Sequence, residues 1–267
     1  MTTTPGTPGP IPVLLYHCVA PDPSAWIAPF TVSAAALRRH LEIITASGRT
    51  PITLSQLRDG IGGQAALPAQ PVVITFDDGF SDTLTIAAPL LGRAAIPATI
   101  YLTSGFLTRR SPGGDRMLDW AQTRELALQG HEIGAHSASH PQLDTLAPDT
   151  ARQEIGSCKW QLEDTLGMRI RSFAYPHGYS SPRVRRQVAE AGYDSACAVK
   201  NALSSVTDSA FAVARLMLTP RTSDDTVRAW LVGSGARTRL GDERAATRAW
   251  RAYRRTRTFL SPTWSRR

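Results

Sequence analysis

Apolar and polar positions along the chain alternate between short unbroken greasy runs and longer amphipathic stretches. Ile11–Tyr16 (IPVLLY) is an apolar run of strand length that stops at His17. Ser33–Gly48 then offers a Ser cap, Leu37, Leu41 and Ile44 near helical spacing and a Gly stop, which predicts a helix. Thr53–Gly60 predicts a shorter helix behind a Thr cap, and Gly62–Gln70 a loop. The series continues with strands expected at Val72–Phe76, Ala98–Leu102, Glu132–Ala135, Ser172–Tyr175, Ser195–Val199 and Phe211–Leu218. Between and after them stand helices expected at Ser81–Ala94, Asp119–Gly130, Pro148–Gly167, Ser180–Gly192 and Ser223–Val232.

Seven near-continuous apolar strands separated by helices imply a parallel sheet covered on both faces, either doubly wound or closed into a barrel. In both architectures a site gathers at the C-terminal ends of the strands. The polar residues just past those ends are His17, Asp77 with Asp78, His136 with His140, and Tyr175 with His177.

Composition narrows the class. The 267 residues are 42% hydrophobic and 19% charged, which excludes disordered, collagen-like and disulfide-scaffold proteins. No run reaches the ~18–20 apolar residues of a membrane-spanning helix. Cys18, Cys158 and Cys197 form no CxxC pair and read as reduced thiols. Met1–Pro10 lacks the basic and apolar parts of a signal peptide, so the expected address is cytoplasmic.

The net charge of +8 is confined to one end. Residues 236–267 carry ten Arg against Asp242 and Glu243, while the rest of the chain balances. The expected organisation is therefore a flexible leader at 1–10, a catalytic barrel at 11–235 and a basic tail at 236–267. In that tail Arg alternates with Trp250, Tyr253, Phe259, Leu260 and Trp264, a pattern suited to peripheral contact with an anionic membrane. A solvated extension or a helix packed back on the barrel fits it equally, and a charge confined to the tail argues against a nucleic-acid partner.

Three short motifs carry chemistry. Asp77-Asp78-Gly79 places two carboxylates side by side where the chain must turn, an arrangement that calls for a cation or a proton between them. As a bare tripeptide it is equally an ordinary turn. His136-Ser137-Ala138-Ser139-His140 spaces two imidazoles four apart, so on a helical turn both would point the same way. One Asp with two His makes a set that leaves positions open for water and substrate. Ser172–Gly178 reads by itself as a strand running into a Pro/Gly turn. The stretch Ser104–Asp119, with Arg109, Arg110, Pro112, Gly113 and Gly114, is long enough for a substrate lid or for a plain insertion beside Trp120.

Taken together, TFDDG (Thr75–Gly79), HSASH (His136–His140) and FAYPHG (Phe173–Gly178) resemble, in order and separation, the polysaccharide deacetylase (NodB-homology) family, with the layout of its poly-N-acetylglucosamine deacetylase-like branch. The resemblance covers about Ile11–Val232 and implies an α/β fold, a distorted (β/α) barrel of about seven parallel strands. It implies Asp77 as general base, Asp78, His136 and His140 as ligands of a divalent metal, Zn2+ before Co2+ or Ni2+, and His17 in the LLYH element as the acid that protonates the leaving amine. Tyr175, Pro176, His177 and Gly178 would face substrate and the oxyanion. His40, on a helix, is expected at the surface.

Two departures stand out. Where the family's third motif has an Arg paired with the base, this chain has Ala174; Arg171 lies nearby in another register, and Arg215 at the end of the last strand is the alternative partner of Asp77. His177 replaces an aromatic residue. The reaction implied is removal of an N-acetyl group from an amino sugar in a saccharide or glycolipid. The competing readings are an amidohydrolase acting on a small non-sugar amide and an inactive carbohydrate-binding member.

Overall fold

The structure is a computed structural model that describes residues 8–238, 250, 253 and 254. Its strands are β1 (Val13–Tyr16), β2 (Thr50–Ile52), β3 (Pro71–Phe76), β4 (Thr99–Leu102), β5 (Glu132–Ala135), β6 (Ser172–Ala174), β7 (Ser195–Cys197) and β8 (Leu216–Met217). Its helices are α1 (Ala34–Ala46), α2 (Leu54–Ile61), α3 (Ala88–Arg93), α4 (Trp120–Leu128), α5 (Pro148–Leu166), α6 (Pro182–Glu190) and α7 (Asp224–Leu231).

Every strand pairing is parallel, in the order β7-β6-β5-β4-β3-β1-β8. The sheet curls until the ends approach: Val213, just before β8, bridges Cys197 of β7. Seven of these strands form a curled, half-closed (β/α) barrel: the alternating pattern leaves a doubly wound sheet and a barrel both open, and the barrel is the one the family resemblance implies. An eighth, β2, pairs with the first three residues of β3. It escapes sequence reading because three residues containing Pro51 show no alternation.

Side-chain caps set most helix starts. Ser33, Thr53, Asp119, Ser181 and Ser223 each accept a backbone N–H from the first turn, and Thr53 and Asp119 complete capping boxes with Gln56 and Gln122. The stretch expected as one helix at 81–94 instead opens with a π-helical turn, Thr83–Ala87, before α3. The expected strand 211–218 shortens to β8 plus the bridge at Val213.

His40 corrects its expected surface position. It is 1% exposed, with Leu37, Leu41 and Ile44 on the same buried stripe of α1, and its Nδ1 lies 3.1 Å from the Tyr16 hydroxyl. Arg171 is also accounted for outside the site, clamped between Asp59 and Asp194.

The barrel interior is partly polar. Tyr101, Cys197 and Arg215 are all buried there, the Tyr101 hydroxyl 3.4 Å from Cys197 Sγ and the Arg215 guanidinium 5.5 Å from the Tyr101 ring centre. All three cysteines are free and buried. Among the described residues no helix is long and apolar enough to cross a membrane. The leader at 1–7 and most of the tail lie outside the described residues.

Candidate active site

The turn after β3 places Asp77 and Asp78 at the mouth of the barrel, both almost wholly buried. Asp78 adopts a left-handed backbone conformation (φ 73°) and Gly79 follows at φ 90°. A Cβ on Gly79 would approach the Leu102 side chain to 2.9 Å, which explains the glycine.

Asp77 is gripped by Arg215. Arg215 Nη1 and Nη2 donate to the two carboxylate oxygens at 2.6 and 2.7 Å, and Nη1 also lies 3.2 Å from the Thr75 hydroxyl. Burial pushes the Asp77 carboxyl up, but the guanidinium, with His136, outweighs it and holds the group below its ordinary range. Arg215 immediately precedes β8, on the far side of β1 from β3.

His136 and His140 meet Asp78 by a route other than the helical turn expected from their spacing. Residues 136–140 form a loop beyond β5 in which Ser137 (φ 66°) and His140 (φ 62°) are left-handed. The Ser137 hydroxyl accepts the His140 N–H at 3.0 Å and fixes the loop. His136 Nδ1 donates to the Ala174 carbonyl at 2.7 Å. That bond leaves Nε2 to face inward, 3.4 Å from Asp78 Oδ1 and 3.7 Å from Asp77. His140 Nε2 lies 3.3 Å from the same Asp78 oxygen.

Asp78 Oδ1, buried between two imidazoles, has no hydrogen-bond partner. Donors around an ion at about 2.0–2.1 Å in a tetrahedral set stand about 3.4 Å apart, so the Asp78, His136 and His140 atoms fit a divalent cation. The electrostatics agree. Burial pulls His136 down, yet the Asp77 and Asp78 carboxylates draw it above its ordinary value, while burial takes His140 down to about 3 despite Asp78. A buried acidic pair thus recruits positive charge from its neighbours, the place a cation would take.

His17, just past β1, is half-buried, with its Nδ1 buried and without a partner and its ring 5.4 Å from Phe30. Burial lowers it, and the Asp78 and Asp77 carboxylates oppose that fall.

The stretch Tyr175–Gly178 divides. Tyr175 is fully buried, its hydroxyl donating to the Phe211 carbonyl and its N–H to Cys197. Gly178 spends its N–H on Tyr175, and Pro176 has none, so only the His177 N–H is free of such a bond. Tyr175 therefore supports the turn from beneath. His177 itself is left-handed (φ 57°) and exposed at the rim, its ring 4.6 Å from that of His140. Among the described residues, four of the seven non-glycine positions with positive φ are Asp78, Ser137, His140 and His177. Strain of this kind, about 1–2 kcal/mol per residue, persists where a site demands the geometry.

The stretch expected as a lid is tied down. Asp115 accepts the Ser24 N–H and hydroxyl at 2.8 and 2.6 Å and the Ser111 hydroxyl at 2.7 Å, and Met117 bridges Phe80. Its anchor thus joins the Ser24–Phe30 segment that brings Phe30 to His17. Two contributors were invisible in the sequence: the Ala174 carbonyl, since a backbone acceptor has no residue signature, and Phe30, which sits in an irregular segment.

A parallel barrel with this strand-end constellation is the NodB-type deacetylase architecture. The chain belongs to the polysaccharide deacetylase family, whose model matches residues 64–196. The Bacillus subtilis protein YxkH is 23% identical over 224 residues, covering 84% of this chain and 77% of its own length. The poly-beta-1,6-N-acetyl-D-glucosamine N-deacetylase of Escherichia coli is 23% identical over 202 residues, 61% of this chain but 30% of that protein. The solved structure of IcaB from Ammonifex degensii superposes with a TM-score of 0.75 at 24% identity, covering 84% of this chain and 98% of that one.

Proposed function

We propose that the unit spanning residues 11–235 is a divalent-metal-dependent N-deacetylase that frees acetate and an amine from an N-acetylated amino sugar in a saccharide or glycolipid. The observation that carries this reading is Asp78 Oδ1, buried and without a hydrogen-bond partner at 3.4 and 3.3 Å from two imidazole nitrogens. The naming of relatives as deacetylases of poly-N-acetylglucosamine and of chitooligosaccharides supports the substrate class.

Asp78, His136 and His140 would hold the ion, zinc being preferred for this donor set, with cobalt and nickel suited to the same ligands. When bound, such an ion makes water a nucleophile near neutral pH and polarises a carbonyl.

Asp77 is the base for the attacking water's proton, kept ionised and pointed by Arg215. Water oxygen bonds to the amide carbon, the C–N bond breaks, and the nitrogen departs with a proton from His17. Burial lowers the His17 pKa, so its imidazolium is a stronger acid than that of a free histidine, while the resting ring favours the neutral form. The His177 N–H, free of a backbone hydrogen bond, would serve the developing oxyanion. Three free, buried thiols accord with a reducing, cytoplasmic setting.

The test is acetate release from chitooligosaccharides and N-acetylglucosamine glycolipids, using metal-stripped and zinc-restored protein beside Asp77→Asn. Acetate that needs metal and vanishes in Asp77→Asn is expected. Metal bound stoichiometrically with no acetate from any sugar would overturn the assignment.

A further inference from the structure

Of the readings open to the basic tail, peripheral membrane contact, a solvated extension or a helix packed back on the barrel, the described residues fit the last: they return to the rim of the barrel. Arg254 is 6% exposed, and its Nη1 and Nη2 donate to both oxygens of buried Asp144 at 2.9 and 2.7 Å. Nη1 also reaches the Gln142 side chain at 3.0 Å, and the guanidinium lies 3.7 Å from the centre of the Tyr179 ring. Gln142 and Asp144 come two and four residues after His140, and Tyr179 follows Gly178. Arg254 therefore seats the segment on the two loops that build the site.

This seat completes a path of rings. The His177 ring lies 4.6 Å from that of His140 and 6.2 Å from Tyr179, stacked on the latter at 27°. Trp250 Nε1 donates to the Tyr179 hydroxyl at 3.4 Å, and Trp250 stacks on Tyr253 at 5.2 Å and 24°. Trp250 and Tyr253 are 48% and 52% exposed. A chain of ring contacts, closed by the Trp250–Tyr179 hydrogen bond, thus runs from the Asp78–His136–His140 centre over the rim to a half-exposed aromatic pair.

We infer that Trp250 and Tyr253 form a distal subsite that stacks a sugar ring of an oligosaccharide whose acetylated unit occupies the centre. The inference rests on the deacetylase reading and extends its substrate to a chain of several units. Flat indole and phenol faces offer apolar contact to the C–H face of a pyranose. The pair is continuous with the site through His177 and Tyr179. The Arg254 charge beside it is matched by Asp144 and so is not presented to lipid.

The probes are di- and pentasaccharides of β-1,4- and of β-1,6-linked N-acetylglucosamine, titrated calorimetrically into full-length Asp77→Asn protein, which leaves them intact. Trp250→Ala in that background is expected to weaken one pentasaccharide by about fivefold to tenfold and leave the disaccharides unchanged. Trp250→Phe should restore most of the loss, since it keeps a stacking face. Equal losses at both lengths, no loss, or no pentasaccharide binding would overturn the inference. So would a Trp250-dependent retention on phosphatidylserine vesicles without any effect on sugar. A length-dependent Trp250 effect in a protein whose wild type releases no acetate would leave the subsite standing and sink the deacetylase reading.

Discussion

Arg215 and Asp77 stand 138 positions apart in sequence and face each other through two parallel hydrogen bonds of 2.6 and 2.7 Å. Both are buried, so neither charge can turn to water if the other is removed. Arg215→Ala should destabilise the protein by about 3–5 kcal/mol in urea melts, since it strands a buried carboxylate. Arg215→Lys should recover part of that stability but keep a turnover defect, because a point charge cannot orient both oxygens. Turnover at the wild-type level in Arg215→Lys would remove the orienting role.

Asp77→Asn preserves the shape of the pair and removes the carboxylate proposed as the base. Acetate release should fall by at least about 100-fold while the melting temperature moves much less than in Arg215→Ala. Comparing the two variants separates the structural part of the pair from its chemistry.

Chelation should lower stability as well as activity. An ion bound at 100 times its dissociation constant contributes about 2.7 kcal/mol to the folded state. His140→Ala should lose that metal-dependent gain and weaken binding of the ion by at least about 100-fold, read by competition with a chromophoric chelator. Identical melting of stripped and zinc-restored wild type would contradict the donor assignment.

Gly178 is a steric prediction. A Cβ there would sit 2.4 Å from Val199 Cβ, at φ 72°, so Gly178→Ala should cost about 1–3 kcal/mol. Val199→Gly in the same chain, which removes that Cβ, should return part of it, whereas Val199→Ala should not. Turnover should fall with the single substitution, because the turn that carries His177 must shift.

His131 gives the protein an acid-side weakness. It is buried, its Nδ1 accepts the Ala98 N–H, and burial holds its pKa below the ordinary 6.5. The fold favours the neutral ring, so this stability is complete above pH 6.5 and is lost as pH falls below it. His131→Asn keeps an acceptor without the titration. Its melting temperature should decline less between pH 7 and 5, the difference in slope being at most about 1.4 kcal/mol per pH unit.

Side-chain chemistry at strand ends was legible because a parallel barrel must send those residues to one rim; Asp77, Asp78, His136, His140 and Arg215 converge there. The seven main strands were legible from apolar runs alone. The four-residue spacing of His136 and His140 suggested a helix only because spacing says nothing of φ, and two left-handed residues make the same convergence in a loop. His40 had a readable signal that was passed over: with Leu37, Leu41 and Ile44 it completes an i, i+3, i+4, i+7 stripe, which places it inward. Ala174 looked like a loss, yet its carbonyl orients His136 and would do so whatever side chain it carried. The seat of Arg254 on Asp144 depends on residues 110 positions apart and left no local pattern.

The curled sheet ends on its shortest strand. β8 has two residues, joined to β1 through Leu14 and Leu15, and it delivers Arg215 to Asp77. Opening that seam alone would leave the other strands paired while separating the carboxylate from its counterion. On heating, loss of catalytic competence should therefore run ahead of loss of the fold, so that the seam would set the working temperature of the enzyme below that of its scaffold.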